Sequence, residues 1–119
     1  FELLDYLKEK YTLHIITNGF EEIQSKKMIN SKIYHYFDQV ITSESVGLKK
    51  PNARVFNFAL ESANAKKENS IMIGDSLEAD IQGALSVGLQ AIHCVFDTAS
   101  PTDKDIVSVK YLLEIKQYL

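Results

Sequence analysis

The chain has 119 residues, 45% hydrophobic and 24% charged, with only 5 Gly and 2 Pro, which matches one small globular domain and excludes intrinsic disorder and collagen-like repetition. A chain of this length buries roughly 65% of the surface its unfolded form exposes, enough for a core without metal or disulfide staples. Thirteen basic against 16 acidic residues leave a net charge of −3, so there is no sequence-independent attraction to nucleic acid or to an anionic membrane, and a phosphate-bearing ligand needs a local site.

Leu3, Leu4, Leu7 and Tyr11 recur at helical spacing among Glu2, Lys8, Glu9 and Lys10, which predicts an amphipathic first helix. Leu13 to Thr17, LHIIT, is a short apolar run ended by Asn18 and Gly19, the pattern of a buried strand closed by a turn. A helix is expected over 21–30, a strand over 39–42, and a helix after Pro51 with Phe56, Ala59, Leu60 and Ala63 on its apolar face. Ser70 to Ile73 reads as a strand ending at Gly74. Leu77, Ile81, Ala84 and Leu85 form the stripe of the next helix, with Gly88 at its C-terminal cap. Ala91 to Phe96 is a further strand, Ile106 to Val109 a short edge strand, and Leu112, Ile115 and Leu119 predict a closing helix. Strands separated by helices imply right-handed crossovers and a mainly parallel sheet covered on both faces. The fold class is therefore α/β, a Rossmann-like three-layer sandwich, in which ligands bind beyond the carboxyl ends of the strands.

Cys94 is the single cysteine, so no intrachain disulfide forms, and a reducing, cytoplasmic location is expected. No apolar run approaches the roughly 20 residues of a membrane span, and no basic-then-apolar leader is present. His14, His35 and His93 lack metal spacing and read as histidines with local hydrogen-bond partners. Cys94, inside an apolar run, reads as a buried hydrophobe.

The strand ends carry polar residues that a buried run does not need. Thr17 and Asn18 follow the first strand, Lys50 precedes Pro51, and Asp75 with Ser76 follows IMIG. A threonine hydroxyl, the Asn18 amide or backbone N–H groups can hydrogen-bond phosphoryl oxygens while the Lys50 ammonium offsets their charge. A carboxylate alone repels such a dianion, so Asp75 makes sense with a cation between them, and Mg²⁺ is the usual one. Asp80, on the first turn of the following helix, is placed to hold a metal-bound water or to fix Lys50. Gly74 allows a close backbone turn there.

HIITN, GLKKP and IGDSLEAD resemble the second, third and fourth signature motifs of the haloacid dehalogenase-like hydrolases, in the right order and across essentially the whole chain. The resemblance implies a Mg²⁺-dependent phosphatase that works through an aspartyl-phosphate on a small phosphorylated metabolite such as a nucleotide or a sugar phosphate. It implies that Thr17 binds the transferring phosphoryl group and Lys50 stabilises charge on it. It likewise implies that Asp75 ligates Mg²⁺, that Asp80 supports the site, and that Lys49 is a surface neighbour. The physical logic agrees, because phosphoryl transfer depends mostly on positioning and charge stabilisation.

The family's nucleophile and general acid form an Asp-x-Asp pair at the end of a strand before the second motif, and nothing before Thr17 contains one. Asp103-Lys104-Asp105 follows a Ser-Pro-Thr loop with no apolar strand and reads as solvated loop charge. Residues 1–119 are thus expected to be part of a core domain, lacking the nucleophile strand and helical cap and inactive alone. Two other readings stay open: a non-catalytic phosphate, metal or interaction domain, and a phosphoglucomutase-like phosphotransferase.

Overall fold

The computed structural model describes residues 2–18, 32–47, 50, 52–95 and 106–119. The helix expected over 21–30, Lys49, Pro51, Phe96 and the Asp103-Lys104-Asp105 loop lie outside the described residues.

Helix α1 (Glu2–Lys10) carries Glu2 and Asp5 in its first turn and Lys8 and Lys10 in its last, matching the helix dipole at both ends, and it buries Leu7. Strand β1 (Leu13–Thr17) has the boundaries that the LHIIT run predicts. It pairs in parallel with β2 (Phe37–Thr42), with Thr17 opposite Thr42. After a single turn of helix, α2 (Ser43–Val46), helix α3 (Ala53–Ser62) begins at Asn52, whose side chain accepts the Arg54 N–H at 3.0 Å. Strand β3 (Ile71–Gly74) starts one residue later than expected and takes in Gly74.

The segment after β3 opens as a π-helix (Leu77–Gln82) and only then becomes α4 (Gly83–Ser86). The wider first turn, in which the Ile81 N–H reaches back to Ser76 O at 3.2 Å, shifts the phase of the apolar stripe. Ile81 and Ala84 are fully buried as expected, but Leu85 is turned outward, 44% exposed. Gly88 ends the segment at φ +90°, a conformation that L side chains rarely adopt. Strand β4 (Gln90–Cys94) pairs in parallel with both β3 and β5 (Val107–Val109), which is the outer strand. The closing segment, Leu112–Gln117, is a 3₁₀ helix in which Ile115 is the buried residue while Leu112 is exposed.

All described pairings are parallel, and the described strands fall into two sheets, β1-β2 and β3-β4-β5. The sheets share a core layer: Phe56, Ala84 and Leu89 are packed by Ile16 from β1 and Met72 from β3. A second cluster of Ile92, Cys94, Val109 and Ile115 takes Ile71, Ile73 and Leu3 of α1. The Tyr36 hydroxyl donates to Asp5 at 2.6 Å, tying α1 to the turn before β2. No helix among the described residues is long and apolar enough to cross a membrane.

Candidate active site

The carboxyl ends of β1 and β3 supply the site. At the end of β1, Thr17 is half-buried and Asn18 leaves the strand as a clamp. Its side-chain oxygen accepts the Lys50 backbone N–H at 2.9 Å and its amide donates to Lys50 O at 3.5 Å, while its own carbonyl accepts from the Ser43 hydroxyl at 3.0 Å. Asn18 thus fixes the backbone from which the lysine side chain projects, and its side-chain amide is committed to that task.

The Lys50 ammonium donates to Ile16 O at 3.1 Å and to Asp80 Oδ1 at 2.5 Å. Two of its three N–H donors are thereby engaged. Both side chains are largely shielded, 10% and 8% exposed, so the pair works in an environment where charge acts strongly. Lys50 also joins the two sheets, since Ile16 belongs to β1 and Asp80 to the helix after β3.

Asp80 owes its position to the local chain. Ser76 caps the π-helix by accepting the Ala79 N–H at 3.0 Å, and Asp80 Oδ2 accepts the Ser76 N–H in return at 3.2 Å. The carboxylate lies back against Gly74, where an added Cβ would fall 2.4 Å from Oδ2. That contact is the physical reason for a glycine before Asp75.

Asp75 is exposed at the strand end, and among the described residues no hydrogen bond or ion pair holds its carboxylate. Asp80 has both oxygens engaged and acts by fixing Lys50. The donor chemistry fits a hard, oxygen-liganded cation at Asp75, with further ligands from phosphate, water or the remainder of the protein. No group of three or more His, Cys, Asp or Glu side chains that could hold a metal occurs among the described residues.

The structure therefore brings Asn18, Lys50 and Asp80 into direct contact and sets Thr17 and Asp75 at the ends of the two strands that carry them. In the sequence Ser76 stands out only as a polar residue at a strand end; its capping role is signalled by a serine directly before a helical pattern. No such signal marks the partner of His93, whose Nε2 lies 3.1 Å from Asp75 O. The other histidine with a local partner is His14, whose Nδ1 accepts the Gln39 N–H at 3.2 Å.

A family model for haloacid dehalogenase-like hydrolases matches residues 1–94. Among curated proteins, the chain is 42% identical over 90 residues to a glyceraldehyde 3-phosphate phosphatase of Methanothermobacter thermautotrophicus, covering 76% of this chain and 40% of the relative. It is 41% identical to the pyrimidine 5'-nucleotidase PynA of Streptococcus pneumoniae, covering 95% of this chain and 51% of that protein. Among solved structures, the HAD-hydrolase YfnB of Bacillus subtilis bound to magnesium superposes with a TM-score of 0.89 at 29% identity, covering 98% of this chain and 53% of that one. The chain spans about half or less of the length of these relatives.

Proposed function

Because the chain belongs to the haloacid dehalogenase-like hydrolases, whose model spans residues 1–94, we propose that its whole protein is a cytoplasmic, Mg²⁺-dependent phosphatase of small phosphomonoesters. The observation that carries this reading is the Lys50 ammonium held between Ile16 O and Asp80. It is a fixed positive charge at the carboxyl ends of parallel strands, where phosphate is bound in such folds. The names of the relatives, a glyceraldehyde 3-phosphate phosphatase and a pyrimidine nucleotidase, support a sugar phosphate or a nucleotide as substrate.

In this reading Thr17 and the backbone N–H groups after it hydrogen-bond the phosphoryl oxygens, and Lys50 stabilises the charge that builds on them. Asp80 holds Lys50 in place and Asp75 holds the cation. Mg²⁺, when bound, supplies charge neutralisation between that carboxylate and the phosphoryl group. The nucleophile comes from a strand outside these 119 residues that ends in an Asp-x-Asp pair. Among the described residues β1 and β3 are each paired along one edge and half-buried throughout, which supports a position for that strand beside them. Its first carboxylate attacks phosphorus as the bond to the leaving oxygen breaks, and the second aspartate gives that oxygen its proton. Water then attacks phosphorus of the aspartyl-phosphate, giving its proton back to the second aspartate as the bond to the first breaks, which releases phosphate and restores the carboxylate.

The test is phosphate release from p-nitrophenyl phosphate by the full-length protein. Asp75→Asn and chelation are each expected to lower it by about a hundredfold or more, the scale on which loss of one electrostatic partner acts. Unchanged activity in either case would sink the metal assignment. The 119-residue chain alone is expected to release none, and turnover by it would place the nucleophile within these residues.

A further inference from the structure

His93 is a buried polar side chain that the chemistry above leaves unused. It is 1% exposed and lies on β4 directly opposite Gly74. Its neighbours Ile92 and Cys94 belong to the core formed with Val109 and Ile115, so the imidazole points to the other face of the sheet. Nε2 is 3.1 Å from the carbonyl oxygen of Asp75. A carbonyl only accepts, so Nε2 carries a proton and donates it. Nδ1 has no hydrogen-bond partner among the described residues.

An aliphatic residue would fill this strand position without stranding a buried nitrogen. The imidazole is therefore not explained by packing, and its single hydrogen bond falls at a particular place. That place is the peptide between Asp75 and Ser76, the hinge at which β3 ends and the π-helix starts. No described side chain holds the Asp75 carboxylate, so the backbone at Asp75 is what fixes the point from which that side chain reaches the rim.

We propose that His93 is a positioning residue for cation binding, holding the Asp75 carbonyl so that the Asp75 carboxylate is presented to the metal. This rests on the reading of Asp75 as the cation ligand. Hydrogen-bonded groups behind a metal ligand typically change metal affinity by about 10–100-fold when removed.

The experiment is calorimetric titration of Mg²⁺ into the full-length protein, with wild type, His93→Leu, His93→Gln, His93→Asn and Asp75→Asn compared. His93→Leu is expected to weaken Mg²⁺ binding by about tenfold while KM for p-nitrophenyl phosphate at saturating Mg²⁺ stays unchanged. The longer amide of His93→Gln can donate to the same carbonyl and is expected to restore binding, whereas the shorter His93→Asn is not. If the leucine variant does not fold, the glutamine and asparagine variants decide: equal Mg²⁺ affinities in these two overturn the proposal, as does wild-type affinity in His93→Leu. Weakened binding in Asp75→Asn alone overturns the role of His93 and leaves the metal ligand standing. Undiminished binding in Asp75→Asn overturns the ligand assignment itself.

Discussion

The Lys50 ammonium and the Asp80 carboxylate meet at 2.5 Å, and the same ammonium reaches Ile16 O at 3.1 Å, so one largely shielded cation is held by β1 and by the helix that follows β3. Neither partner is easily removed alone. Breaking a buried pair from one side leaves the other charge uncompensated, which typically costs about 3–5 kcal/mol. Lys50→Met is expected to lower stability by about 3 kcal/mol in urea unfolding and kcat by at least about a hundredfold. The double variant Lys50→Met/Asp80→Asn is expected to regain part of the stability and none of the activity. A double variant whose loss equals the sum of the single losses would show that the two charges are not coupled.

Gly74→Ala tests the packing that holds Asp80. The new Cβ would lie 2.4 Å from Asp80 Oδ2 and 2.5 Å from Asp80 Cβ, so the π-helix must shift to make room. Such overpacking is expected to cost about 1–3 kcal/mol, and kcat should fall with it because Asp80 is pushed from Lys50. Wild-type kcat in a folded Gly74→Ala protein would show that Asp80 has no need of its observed position.

His14 gives β1 and β2 a pH dependence. Its Nδ1 is an acceptor for the Gln39 N–H, and burial lowers its pKa from the ordinary 6.5, with Lys8 adding to this and Asp38 opposing it. The unfolded chain then takes up the proton first. The stabilisation is complete above about pH 6.5 and is lost as pH falls towards the lower folded-state pKa. Thermal unfolding between pH 7.5 and pH 5, ranges chosen to bracket the ordinary imidazole pKa of about 6.5, is expected to show a steeper loss in wild type than in His14→Asn. Equal slopes would remove His14 as the cause.

Cys94 is expected to resist thiol reagents. It is 3% exposed, and burial pushes its thiol up to about 11, with the Asp75 and Asp80 carboxylates adding to the shift. Thiolate, the reactive form, is therefore scarce at pH 8. Alkylation located by mass spectrometry should label Cys94 only as fast as the fold opens, and rapid labelling in native protein would contradict its burial.

The sequence is most legible where one local pattern decides the outcome. LHIIT has a single apolar phase and two turn residues behind it, and β1 has the expected ends. Leu85 shows the opposite case. Its place on the stripe assumes 3.6 residues per turn, and the π-turn set by Ser76 and Asp80 changes the phase after Leu77. At the site, Thr17, Lys50, Asp75 and Asp80 stand out because polar residues follow apolar strands. That the Asn18 amide grips the Lys50 backbone, or that His93 bonds to Asp75 O, depends on which loops and strands lie side by side. No spacing along the chain encodes such neighbours.

Phe56 bears on the site from a distance. It is fully buried on α3, and the cluster it forms with Ala84 and Leu89 is packed by Ile16 of β1 and Met72 of β3. Phe56 thereby links by packing the same two parts of the molecule, β1 and the β3 side, that Lys50 links by charge through Ile16 O and Asp80. An apolar side chain at a distance from the charged pair thus takes part in holding the pair's two supports together.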